Sequence, residues 1–113
     1  MSEHVRVHAE LAAGRWQSLS LVEQLGNVGS EVGRALRAKQ QGKQDRMWAA
    51  IDRALELMDL TIAGSVAGAR RRELCRVREV MCDFLVGDNA YGSTAASLDG
   101  YFMKFAVAAR ARR

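Results

Sequence analysis

The chain has 113 residues, 49% of them apolar, and no proline. That length fits one domain with a core of its own, and the composition excludes a disordered chain. A formal charge of +4 and a pI near 9.6 permit a polyanionic partner without requiring one.

Abundant Ala, Leu and Arg without proline predict an all-α protein. Residues 1–14 read as an N-terminal arm and residues 15–113 as a four-helix domain. Ser20 opens the first helix, with Glu23 at capping-box spacing in "SLVE". Leu21, Leu25, Val28, Val32 and Leu36 then recur at helical period, with Ala35 beside them, until Gly42 ends the helix. The glycines of "GNVGSEVG" fall inside this helix, where they suit close helix packing rather than a phosphate loop.

Asp45 is the expected cap of the second helix, whose stripe runs Met47, Ile51, Ala54, Leu55, Met58 and Ile62 with Trp48 on its flank. Leu57 and Leu60 fall on the other side. A helix apolar on two faces sits centrally in a bundle or meets a partner. Gly64 stops this helix, and "GSVAGA" connects it to a third over about residues 70–86, which carries Leu74, Val77, Met81, Phe84 and Leu85 on one face. Gly87 terminates the third helix. After "GDNAYGST", which reads as a tight structured turn, Ser93 or Thr94 caps a fourth helix with Leu98, Tyr101, Phe102, Phe105 and Ala109 on one face and Met103 and Val107 on the other. The expected architecture is an antiparallel up-down four-helix bundle that self-associates. The arm, residues 1–14, can dock on a neighbouring subunit.

Charge is unevenly spread. Residues 15–64 carry seven basic and six acidic side chains, which nearly cancel. Residues 65–113 carry nine basic and five acidic ones, so the excess falls in the second half. On the third helix Arg72, Arg76, Glu79 and Asp83 gather opposite the apolar stripe, where Arg76 can pair with Glu79 or Asp83. Arg70, Arg71 and Arg72 differ, because three cations at a helix N-terminus oppose its dipole and invite an external anion. Lys104, Arg110, Arg112 and Arg113 extend this patch if the fourth helix ends near the start of the third. Arg78 lies about 40° round the helix from Leu74, at the edge of the apolar stripe. An arginine there needs a buried carboxylate partner, with Glu31, Glu56 and Asp59 the candidates.

Catalytic and metal chemistry find little support. Cys75 and Cys82 stand seven residues apart on one helix, about 10.5 Å between Cα atoms, too far for a mutual disulfide. They read as packing residues, reduced in a cytoplasmic protein. Both histidines, His4 and His8, lie in the arm, so the helices lack the Glu-x-x-His pairs of carboxylate metal bundles and a His-based general base. The Arg-x(4–6)-His pattern of helical ribonuclease domains is absent too. No metal, cofactor or catalytic residue is expected. No apolar run reaches the roughly 20 residues that cross a bilayer, and no signal-peptide core is present, so a cytoplasmic protein without membrane contact is expected.

The stretches "SLVEQLGNVGSEVGRAL", "RALELMDLTIA" and "RRELCRVREVMCDF" together resemble a group of small bacterial helical proteins. These are similar to the four-helix-bundle proteins encoded in ribosomal RNA intervening sequences and to the accessory variability protein of diversity-generating retroelements. The resemblance spans roughly residues 15–110. It implies a basic homo-oligomeric bundle, pentameric in the retroelement proteins, that binds nucleic acid and a reverse transcriptase without catalysing a reaction. No short motif of that group transfers to single residues. The expected function is therefore a non-enzymatic accessory protein, with Arg70, Arg71, Arg72, Lys104, Arg110, Arg112 and Arg113 contacting RNA or DNA phosphates. Leu57, Leu60, Tyr91, Met103 and Val107 would face protein partners. The alternative is a protein–protein adaptor or toxin–antitoxin-like regulator whose basic tail is incidental.

Overall fold

The computed structural model describes residues 14–111, and the side chains of all of them except 105, 106 and 108–111. Residues 14–17 are helical and lead into four long helices: α1 (Leu21–Gln40), α2 (Gln44–Ala63), α3 (Ala69–Leu85) and α4 (Ala95–Ala111). Among the described residues there is no strand. The all-α expectation is met.

Local chemistry explains most of the boundaries. Ser20 and Glu23 form a reciprocal capping box that satisfies two otherwise orphaned N–H groups of α1. At the other end Gly42, at φ 71°, allows its own N–H to reach the Lys39 carbonyl and that of Lys43 to reach Ala38. This is a Schellman termination, and the left-handed turn favours glycine. The start of α2 departs from expectation: Lys43 occupies the cap position without a side-chain bond, and Asp45 sits inside the first turn. There Asp45 acts on the helix dipole rather than as a cap. Thr94, not Ser93, caps α4, exchanging hydrogen bonds with Ser97 at 2.8 and 3.0 Å.

Residues 41–43 send the chain back along itself. Glu31 meets Arg53 and, further from the turn, Trp16 meets Thr61. Buried Ala35, Ala38, Ala50 and Ala54 let α1 and α2 lie close, and this is the most extensive helix pairing in the molecule. The helix α4 packs on α1, where Phe102 touches the Gly29 position, and α3 packs on α2. Of the three glycines in "GNVGSEVG", only Gly29 meets a neighbouring helix; an added Cβ at Gly26 would meet open space, and at Gly33 only the Arg37 side chain.

One core draws on all four helices through Leu25, Val28, Met58, Leu74, Met81, Leu98 and Phe102. Each large side chain buried there contributes about 1.5–3 kcal/mol. Trp16 joins this core from outside the long helices. Its indole N–H donates to the buried Thr61 hydroxyl at 3.0 Å, while buried Gln24 donates to the Trp16 carbonyl at 2.9 Å. The residues just before α1 are thereby stapled across the α1–α2 hairpin. Gln17 completes the staple by donating to the Leu60 carbonyl at 2.8 Å, and its amide end occupies the space a Cβ at position 64 would take, so a larger residue there would have to displace that side chain.

Candidate functional site

Two basic surfaces emerge, one expected from the sequence and one not. The expected one begins at Gly68, whose φ of 122° precedes α3. No side chain caps this helix and no acidic residue lies in its first turn. Its first N–H groups and Arg70, Arg71 and Arg72 therefore concentrate positive potential at one helix end.

The three arginines do not share one role. Arg71 turns back to donate through Nε to the Ser65 hydroxyl at 3.2 Å and through Nη2 to the Ser65 carbonyl. It braces the α2–α3 connection. Arg70 is half-buried, and Arg72 and Arg76 are exposed. An open groove of about 540 Å³ runs over this face, lined by Arg71, Arg72, Cys75, Arg76 and Glu79 among others. The expected pairing of Arg76 with Glu79 or Asp83 does not form among the described residues. Asp83 instead accepts the backbone N–H groups of Ala90 and Tyr91 at 2.8 and 3.1 Å, while the Tyr91 hydroxyl donates to Glu79 at 3.4 Å. Asn89, at φ 54°, closes the same turn through two bonds with Ser93. "GDNAYGST" is the structured turn expected, but the carboxylate expected to reach Arg76 is spent on it.

The remaining expected sites lie on other elements. Lys104 is exposed on α4, a helix that packs on α1 and is not paired along α3. Met103, Val107 and Tyr91 are all more than half exposed. Arg112 and Arg113 and the Arg110 side chain lie outside the described residues, as does the arm over residues 1–13. Leu57 and Leu60 both pack half-buried against the shared core, which is the central-in-a-bundle reading of a helix apolar on two faces. Cys75 is exposed rather than packed, and Cys82 is half-buried.

The ion pairs also differ from expectation. Arg78 does find Asp59, its Nε donating at 2.6 Å, but the side chains are 35% and 57% exposed, so the pair lies at the surface. That hydrogen bond is the main reason the Arg78 pKa is raised above its ordinary value. Glu56 is exposed and forms none of the ion pairs among the described residues. Glu31 is the buried carboxylate, yet it serves Arg34 and Arg53 rather than Arg78.

Those two arginines belong to the unexpected surface. Arg34 and Arg37 from the second half of α1 and Arg46 and Arg53 from the first half of α2 line a groove of about 310 Å³, floored by Ala38 and Ala50. Arg37 and Arg46 have no carboxylate partner among the described residues. Summing charge over residues 15–64 hides this surface. Within that span Arg34, Arg37, Lys39, Lys43, Arg46 and Arg53 lie in the half of the hairpin nearer the turn with only Glu31, Asp45 and Asp52 among them, while Glu23, Glu56 and Asp59 sit towards the other end. Folding the two helices back to back before counting is the signal that finds it.

Among the described residues no three His, Cys, Asp or Glu side chains gather as a metal set, and no helix is long and apolar enough to cross a membrane. No family model, curated protein or solved structure matches the chain.

Proposed function

We propose that this chain is a non-catalytic nucleic-acid-binding accessory protein of the cytoplasm. Its four helices form an up-down bundle that assembles into a homo-oligomer, a pentamer as the likeness to the retroelement proteins implies, and serves a reverse-transcriptase-like partner. The observation that carries the reading is the unpaired guanidinium surface on α3. Arg72 and Arg76 are exposed beside an uncapped helix start, and neither has a carboxylate partner among the described residues. Cations left unneutralised by the fold are suited to phosphate backbones, which bind by releasing condensed counterions. Lys104 adds a further exposed cation from α4.

A second reading, a protein–protein adaptor, is favoured by Met103 and Val107. They stand one turn apart on α4, 61% and 59% exposed, and form a short apolar strip. The same strip serves self-association in the first reading.

The deciding experiment measures binding of a structured RNA against salt for the wild-type chain and for Arg70→Ala/Arg72→Ala/Arg76→Ala, with Arg71 kept because it holds Ser65. Tight binding that weakens steeply with salt is expected. The variant should lower the log–log slope by about one for each phosphate that the protein no longer engages. An unchanged slope sinks the assignment of these residues. Salt-insensitive association with a protein and none with RNA would establish the adaptor instead.

A further inference from the structure

The α1–α2 groove asks for a different ligand from the open face of α3. Its four guanidiniums converge from two helices over a floor of alanines, so they surround a small volume rather than line a long track. On α2, Arg46 and Arg53 are two turns apart and share a face with Ala50, whereas Asp45 and Asp52 lie about 100° and 120° round the helix. The nearby acids on that helix are therefore turned away. On α1, Arg34, Arg37 and Gln41 occupy one stripe by the same spacing.

Among the described residues, the one carboxylate that pairs with the groove's arginines is Glu31, and it is built in rather than bound to be displaced. Its side chain is 8% exposed and accepts Arg34 Nη1 at 2.5 Å and Arg53 Nε at 3.1 Å. Each guanidinium carries five N–H donors, so both retain most of their donors after this pairing. Glu31 fixes where those remaining donors point. Arg37 and Arg46 stand without such a tether among the described residues. Basic residues in the last turn of α1 suit its dipole, but Arg46 in the first turn of α2 opposes that helix's dipole. Four like charges gathered with one carboxylate leave a local excess that a dense anion would neutralise.

Volume narrows the class. Ligand sites for small molecules run from about 300 to 1,000 Å³, so a groove of about 310 Å³ takes a phosphate group with at most part of a nucleoside. A phosphodiester within a strand offers one charge per phosphate. A terminal phosphate monoester or a polyphosphate offers two or more on one compact group, with oxygens matched to planar guanidinium forks. We propose that this groove is a receptor for a terminal phosphate, monoester or polyphosphate, carried either by the 5′ end of a nucleic acid or by a free nucleotide. Arg37 and Arg46 contact the phosphate directly, Arg34 and Arg53 flank it, and Glu31 is a positioning residue. The site is distinct from the α3 face and does not depend on that face binding nucleic acid.

The test uses the full chain and three probes: a short single-stranded RNA bearing a 5′-phosphate, the same RNA with a 5′-hydroxyl, and inorganic tripolyphosphate. Preference for the phosphorylated end by about tenfold, the ratio that one charge-assisted hydrogen bond confers, is expected. Arg37→Ala/Arg46→Ala should erase that preference, whereas the α3 variant should weaken both RNAs alike and keep it. Tripolyphosphate binding that is abolished in Arg37→Ala/Arg46→Ala, without RNA end preference, assigns the groove to a free polyphosphate and supports the shared chemistry. Glu31→Gln separates positioning from charge, because it makes the groove more positive. Weaker phosphate binding by a variant that melts like the wild type supports positioning; equal or tighter binding removes that role. An end preference that survives Arg37→Ala/Arg46→Ala, or a wild-type chain indifferent to both the 5′-phosphate and tripolyphosphate, overturns the proposal.

Discussion

The α1–α2 hairpin and the α3–α4 half are built from helices of similar length but held by different means. The hairpin has a reciprocal cap, a glycine termination, a seam of buried alanines and a staple from Trp16. The second half has no comparable pairing of its own: α3 leans on α2, and α4 leans on α1. It also carries Val66, Val86, Met103 and Val107 exposed. The hairpin is thus the platform, to which α3 is attached chiefly through α2 and α4 chiefly through α1. Elements with less buried apolar surface open at lower free energy, so local opening should concentrate in α4.

That contrast can be broken first at its strongest points. Met58 on α2 is fully buried, so Met58→Ala should lower the global unfolding free energy by about 2–5 kcal/mol in chemical denaturation. Phe102→Ala removes a side chain from the seat of α4 on α1 and should act differently. It is expected to raise amide hydrogen exchange throughout α4 while amides in the middle of α1 and α2 keep their protection. A uniform drop in protection would mean that the helices unfold as one unit and that the platform distinction is wrong.

A smaller effect sharpens the role of the staple. Trp16→Phe keeps a ring in the core but removes the N–H that serves the buried Thr61 hydroxyl, costing about 1–3 kcal/mol. If stability is unchanged, the segment before α1 is only resting on the hairpin. The smallest effect belongs to the link between the platform and α3. Arg78→Ala should cost only about 0.2–1 kcal/mol, as a surface ion pair does. The raised Arg78 pKa means that its contribution is fully present below the unfolded-chain value and fades only as pH climbs through the folded one. Across neutral pH the wild type and Arg78→Ala should therefore differ by a constant amount in thermal melts.

Helix boundaries are legible in the sequence because they are written in neighbouring residues. Ser20 with Glu23, and Gly42 after α1, each act within one turn of chain. The stripes through Leu25 and Val28, Met58, Leu74 and Met81 point inward as their period requires. What the sequence conceals depends on register between helices. Glu31 stands out as an acid able to hold an arginine, and its pairing with Arg34 three residues on is local, but only the folded hairpin brings Arg53 to it rather than Arg78. Leu57 and Leu60 look unpartnered because Trp16 and Gln17, which bond to Thr61 and to the Leu60 carbonyl on that stretch of α2, sit outside every periodic stripe. The arginine groove is invisible for the same reason. Its members are up to 19 residues apart in sequence, and no window short enough to show periodicity contains them all.

The staple also makes the molecule its own spectroscopic gauge. The chain has two tryptophans, Trp16 sealed in the core near the open end of the hairpin and Trp48, 48% exposed, near its turn. The sealed indole emits from an apolar site and the other from a wet one, so steady-state fluorescence resolves two populations without a label. Quenching by iodide should reach Trp48 and spare Trp16 until the residues ahead of α1 peel away. The ratio of the two then follows the two ends of one hairpin separately, and a ligand held near the turn registers in one colour while undocking of the staple registers in the other.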